Sequence, residues 1–200
     1  MNFLAHIYLS GDNDLVKIGN FSADGIRGKD FTKYPEAMQA GIILHRFIDS
    51  YTDTHPIFKK STKRLHSNYG HYSGVIVDIF YDHFLAKNWE TYHIEPLDSF
   101  ASNFYDLLNT NFGILPDRIK NLTPHMIAGN WLLNYAKIEG IQDVLNGMNR
   151  RTRYKSKMNE ATKELQLYYD EFENEFSDFF IDLKTEANTK RKVLENEYNL

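Results

Sequence analysis

The sequence predicts an all-α fold built as a single helical domain, and three observations carry that prediction. Apolar residues recur three and four apart along most of the chain, the spacing of one helix face. No strand-like alternation runs beyond four residues. The length of 200 residues, with 42% hydrophobic and 25% charged side chains, suits one folded domain with a sizeable core.

The elements follow in order. His6 lies on the apolar face of a short amino-terminal helix. Helical spacing then marks 36–51, 56–67, 73–89, 97–112, 123–137 and 158–182. Breakers separate these stretches: Gly25, Gly28, Pro35, Pro56, Gly70, Pro96, Gly113, Pro116, Pro124 and Gly140. Asp53 or Thr54, just ahead of His55-Pro56, reads as a helix N-cap with proline in the first turn. The stretch 74–86 is apolar in every direction, which marks a buried helix. The acidic residues of the last helix read as a solvated face over Leu165, Tyr169, Phe172, Phe176 and Phe179. From about residue 186 the chain turns polar and is expected to fray.

Composition narrows the chemistry. The chain has no cysteine, so disulfides, thiolate zinc sites, iron–sulfur clusters and a cysteine nucleophile are excluded. A net charge of −4 gives no bulk attraction to nucleic acid or to an anionic membrane. There is no basic, apolar leader and no membrane-length apolar run, so a soluble cytoplasmic protein is expected. Carboxylates, eight histidines, hydroxyls and amides remain to do chemistry.

Two stretches concentrate them. Asp78 and Asp82 are four apart inside the buried 74–86 segment and so share a helix face. Two carboxylates side by side in a core lose hydration and repel unless a cation offsets them, which leaves a divalent metal, a catalytic acid/base role, or pairing with Arg or Lys from a neighbouring helix. His45 and Asp49 repeat the four-residue spacing, with Asp53 one turn on, and suit two ligands of one ion or a histidine oriented by its carboxylate. Asp24 follows an apolar turn beside Gly25. Nitrogen and oxygen ligands without thiolates favour Mn²⁺ or Mg²⁺, with Fe²⁺ or Zn²⁺ behind. Such sites serve phosphoester hydrolysis well. Gly-x-Ser-x-Gly, His-Glu-x-x-His and Gly-x-Gly-x-x-Gly motifs are absent.

Five blocks then form a pattern. They are Met1-Asn2-Phe3-Leu4-Ala5-His6, Gly19-Asn20-x-x-Ala23-Asp24-x-x-x-Gly28, His45-Arg46-x-Ile48-Asp49-x-x-Thr52-Asp53-x-x-Pro56, Asp78-x-x-x-Asp82-His83-Phe84-Leu85, and Val144-Leu145-Asn146-Gly147-Met148-x-Arg150-Arg151. In order and approximate spacing this set resembles the bacterial acyl carrier protein phosphodiesterases. The resemblance implies a divergent relative of the helical HD phosphohydrolases that uses a divalent metal, Mn²⁺ favoured. It also implies hydrolysis of the phosphodiester joining 4′-phosphopantetheine to a serine of holo-acyl carrier protein. The usual His-Asp dyad is missing here, and its nearest echo is the reversed Asp82-His83.

Residues and resemblance together nominate Asp24, His45, Asp49, Asp78 and Asp82 to bind metal and orient water, with Asp53 a weaker member. His6 and His83 are candidate general acids for the leaving serine alkoxide. Arg46 either grips a phosphate oxygen or pairs with Asp49 or Asp53. An acidic carrier protein would dock on a locally basic surface, for which two clusters qualify. One is Lys59, Lys60, Lys63 and Arg64; the other is Arg150, Arg151, Arg153, Lys155 and Lys157. Two alternatives stand beside this reading: a metal phosphohydrolase of nucleotides or other small phosphoesters, and a non-catalytic helical domain that binds carrier protein.

Overall fold

A computed structural model describes residues 1–200. The chain passes through α1 (Phe3–Leu9), α2 (Asp14–Ser22), α3 (Glu36–Thr54), α4 (Pro56–Tyr69), α5 (Ser73–Lys87) and the single turn α6 (Trp89–Tyr92). It continues through α7 (Leu97–Thr110), α8 (Asp117–Ala128), the short α9 (Trp131–Asn134), α10 (Ile138–Arg151), α11 (Thr162–Leu167) and α12 (Tyr169–Tyr198). There are no strands, so the all-α prediction holds. No helix is long and apolar enough to cross a membrane.

The central element is α5. Its Ile76, Val77, Ile79, Phe80, Tyr81, Phe84 and Leu85 are all fully buried, because α1, α4, α10 and α12 cover it from different sides. Along α12, Phe172, Phe176 and Phe179 supply the facing aromatic layer, with rings against Phe58, Phe80, Tyr81 and Phe84, while Phe180 meets Tyr8 and Tyr92. One polar group interrupts that layer. Glu175, 5% exposed, receives both Arg64 nitrogens at 2.7 Å and the Ser61 hydroxyl, so its buried charge is fully paired.

Helices α2 and α3 cross closely enough to touch through their backbones. A Cβ on Gly19 would lie 2.1 Å from the Met38 carbonyl oxygen, and one on Gly41 2.2 Å from that of Val16. Only glycine permits this approach. The crossing sets Asn20, at the end of α2, against His45 of α3.

Five local expectations change. His55 itself caps α4, its Nδ1 accepting from the Ile57 amide, while the Thr54 hydroxyl turns back to the Ser50 carbonyl. Pro124 sits inside α8 rather than between helices; α8 starts earlier, after Pro116, and the break falls at Gly129 and Asn130, where Asn130 has φ 42°. Helix α10 is an additional element, held by Ile141 and Leu145 at full burial. The 158–182 stretch divides at Tyr168 between α11 and α12. Finally, the chain does not fray at 186: α12 runs on to Tyr198, anchored by Ala187 and Leu194, which lie two turns apart and are buried. Two small apolar anchors in a polar stretch were too sparse a signal.

Candidate metal centre

The candidate centre collects groups from α1, α3 and the turn after α2. His6 and His45 stack with ring centroids 4.0 Å apart and planes 20° from parallel. Asp49, one turn beyond His45, bridges them: its Oδ1 is 3.1 Å from His6 Nε2 and its Oδ2 is 3.0 Å from His45 Nε2. Asp24, from the 3-10 turn Ala23–Gly25, brings Oδ1 to 3.4 Å from His45 Nε2. Arg118 of α8 holds that turn, donating to the Asp24 carbonyl at 2.9 Å.

One residue orients both rings. His6 Nδ1 lies 2.8 Å from Asn20 Oδ1, and His45 Nδ1 lies 2.8 Å from the Asn20 carbonyl. Asn20 Nδ2 donates to the His6 carbonyl and to Ser10 Oγ, which fixes the amide with its oxygen toward His6. Each Nδ1 therefore carries a hydrogen, and each Nε2 points into the centre.

The two rings titrate in opposite senses. Burial, together with the neighbouring His45 charge, lowers His6 to about 4. Burial also opposes a charge on His45, but the hydrogen bonds it donates to Asp24 and Asp49 outweigh burial and raise its pKa to about 9. His6 Nε2 lies 3.1 Å from both Asp49 Oδ1 and the Met1 carbonyl oxygen.

The donor set fits a divalent ion. Ligand atoms of His6, His45 and Asp49 all lie within 4.8 Å of one another. Ligands about 2.1 Å from one ion and at right angles to each other are about 3.0 Å apart, close to the separations seen here. Two imidazoles and carboxylates suit Mn²⁺, Fe²⁺ or Zn²⁺, with the Asn20 bonds already fixing ring tautomer and direction.

The other nominated residues lie in several places. Asp78 and Asp53 line the same cavity of about 280 Å³. Asp78 meets the α-ammonium of Met1 at 2.8 Å rather than Arg or Lys, and burial, partly offset by that ammonium, raises its pKa. Asp82, fully buried, accepts the amides of Leu4 and Ala5 at 2.7 and 3.2 Å and does not line the cavity. His83 is turned to the Tyr135 carbonyl and the Tyr169 hydroxyl. Arg46 donates to the Gly28 carbonyl at 2.8 Å and lies over the Phe31 ring, so it forms no pair with Asp49 or Asp53. Of the basic clusters, Lys60 and Arg64 are drawn to Glu175, whereas Arg150 and Arg151 stand exposed near the centre.

The family model described as acyl carrier protein phosphodiesterase matches residues 1–183. The chain belongs to the acyl carrier protein phosphodiesterase family. A protein of that name from Photorhabdus laumondii is 31% identical over 95% of this chain and 96% of its own. Namesakes from Pectobacterium atrosepticum and Salmonella agona are 30% and 32% identical, over 96% and 95% of this chain and 100% and 99% of theirs. No solved structure matches the chain. Within this family member, sequence reasoning passed over Asn20, although Gly19-Asn20 stood inside one of the motifs. A polar residue between Gly19 and Phe21 on an apolar helix was the available signal.

Proposed function

We propose that the protein is a cytoplasmic, metal-dependent phosphodiesterase that releases 4′-phosphopantetheine from holo-acyl carrier protein. Family membership supports the reaction class, and one observation supports the metal: ligand atoms of His6, His45 and Asp49 converge within 4.8 Å of one another. His6, His45, Asp49 and Asp24 would hold the ion, Mn²⁺ first. A divalent ion bound there supplies charge for the phosphoryl oxygens and lowers the pKa of the attacking water.

The chain's own groups do the rest. Asn20 keeps both rings in the ligand tautomer. Asp78 and Asp53, on the cavity wall, orient the water, and Asp53 accepts its proton. The new bond joins the water oxygen to phosphorus, and the bond from phosphorus to the serine oxygen breaks. Asp53 returns the proton to that oxygen, which leaves poorly as a bare alkoxide. His6 is thereby read as a ligand, Asp82 and His83 as supports of α1 and α5, and Arg46 as the clasp of the Gly25–Phe31 loop. The docking surface is assigned to the cluster beginning at Arg150, because it adjoins the centre and is not consumed by an internal carboxylate.

The test is incubation with holo-acyl carrier protein and Mn²⁺, followed by intact-protein mass spectrometry. The carrier should lose the phosphopantetheine mass, and a chelator should stop the loss. A carrier left intact by the metal-loaded protein would overturn the reading.

A further inference from the structure

Two more cavities open beside the centre and share one wall. The first, of about 420 Å³, lies between α9 and α10 and meets the metal cavity along Asn2, Phe3 and Met148. The second, of about 680 Å³, meets it along Phe3 and Asp24 and runs under α8. Phe3, Trp131, Gly147, Arg150 and Arg151 border both. A phosphodiester has two arms, and here two recesses diverge from one centre.

The recesses differ in chemistry. The first has Trp131, Tyr135, Val144 and Met148 as apolar walls, with the amides Asn134 and Asn146 set among them and Lys137, Glu139 and Asp143 of mixed charge on the same lining. Asn134 uses Nδ2 on the Gly129 carbonyl, leaving its oxygen to accept. Asn146 accepts from Gln142 Nε2, leaving its own Nδ2 to donate. An extended apolar chain interrupted by amides would find both partners there. The second recess adds Arg118 of α8 to the shared Arg150 and Arg151, three guanidinium groups against the single Asp24 carboxylate, and fits an acidic protein surface.

Gly147 keeps the divide open. A glycine inside a helix is about 1 kcal/mol less favourable than alanine. At Gly140, in the same helix, a Cβ would lie 2.0 Å from the Asn134 carbonyl oxygen, so close packing explains it. At Gly147 a Cβ would meet nothing nearer than the Arg150 Nη2 at 3.8 Å. The missing side chain therefore serves no packing contact within the protein and leaves room at the junction of the recesses.

We infer that the recess between α9 and α10 receives the pantetheine arm, a chain of two amides ending in a thiol, while the cationic recess under α8 receives the carrier protein that bears it. The inference rests on the functional reading above and adds the residues that read the arm. Apo carrier, which has no arm, should depend on the cationic recess alone. Holo carrier should depend on both.

The experiment compares binding of holo and apo carrier protein to the metal-free protein by calorimetry, alongside cleavage of holo carrier by the Mn²⁺-loaded form. Gly147→Trp fills the junction and should remove the preference for holo over apo carrier and reduce cleavage about 100-fold. Asn146→Leu, a milder change, should weaken holo binding about tenfold while leaving apo binding unaltered. Circular dichroism melting confirms that each variant is folded. If wild-type protein cleaves holo carrier and both folded variants retain the wild-type preference, the arm does not lie in this recess. If wild-type protein neither binds nor cleaves holo carrier, the functional reading falls and the inference falls with it.

Discussion

Asp82 and Leu4 are 78 positions apart in sequence, yet the Asp82 carboxylate accepts the Leu4 backbone N–H at 2.7 Å. The same carboxylate takes the Ala5 amide, so α5 provides the acceptors that the first turn of α1 lacks from its own N-cap, Asn2. Short helices need such partners for their leading amides.

Replacing Asp82 by Leu should therefore orphan two buried N–H groups, at about 1–3 kcal/mol each. Asp82→Asn, which keeps one acceptor oxygen, should lose less. Because α1 carries His6, metal affinity should fall in parallel with stability. Urea unfolding and metal titration on both variants test this; metal loss from Asp82→Asn without any change in unfolding would make Asp82 a ligand instead.

Asp49 and Asn20 act on the centre at different depths. Asp49→Ala removes the one carboxylate that touches both rings, and bound metal and cleavage should both disappear. Asn20→Ala leaves His45 on a backbone carbonyl but frees His6, so metal affinity should drop about 10–100-fold. Metal content after dialysis against a buffered Mn²⁺ series separates the two outcomes.

Glu175 gives a pH signature outside the centre. Burial pushes its carboxyl up, but Arg64, Ser61 and Lys60 outweigh burial and hold it below the usual range. A carboxyl depressed in the fold adds stability above its unfolded value, and that stability is lost as pH falls through the folded value. Glu175→Gln should cost about 3 kcal/mol at pH 7 by leaving Arg64 unpaired. Its deficit against the wild type should shrink below about pH 4.3. Urea midpoints from pH 3 to 8 measure the convergence, and a pH-independent deficit would contradict the assignment.

Charge reversal tests the docking surface. Arg151→Glu with Arg153→Glu should raise KM for carrier protein and flatten its dependence on salt, with kcat nearly unchanged. Reversal of Lys59 and Lys63, on the surface whose Arg64 is already committed to Glu175, should do much less. Initial rates at two ionic strengths distinguish the clusters.

The sequence made some of this legible for physical reasons. His45 and Asp49 could be paired because four-residue spacing within one helix leaves no freedom about which face they share. Asp78 and Asp82 obey the same spacing, yet one faces the cavity and the other a helix end. What divides them is the position of α1, a tertiary fact that spacing does not encode. Helix α10 escaped notice because Gly140 and Gly147 weaken its local preference, although Ile141, Val144, Leu145 and Met148 repeat at helical intervals. The role of Asn20 depends on the α2–α3 crossing, which brings residues 25 positions apart into contact.

That crossing has a further effect. Since Gly19 and Gly41 let main chain touch main chain, the Asn20 carbonyl that holds the His45 ring is fixed in place by the helix crossing. A ring anchored on main chain presents its Nε2 from one direction. For an ion held as proposed, bonds of about 2.1 Å would match the 3.0, 3.1 and 3.4 Å separations of the ligand atoms better than those of Ca²⁺, at about 2.3–2.6 Å.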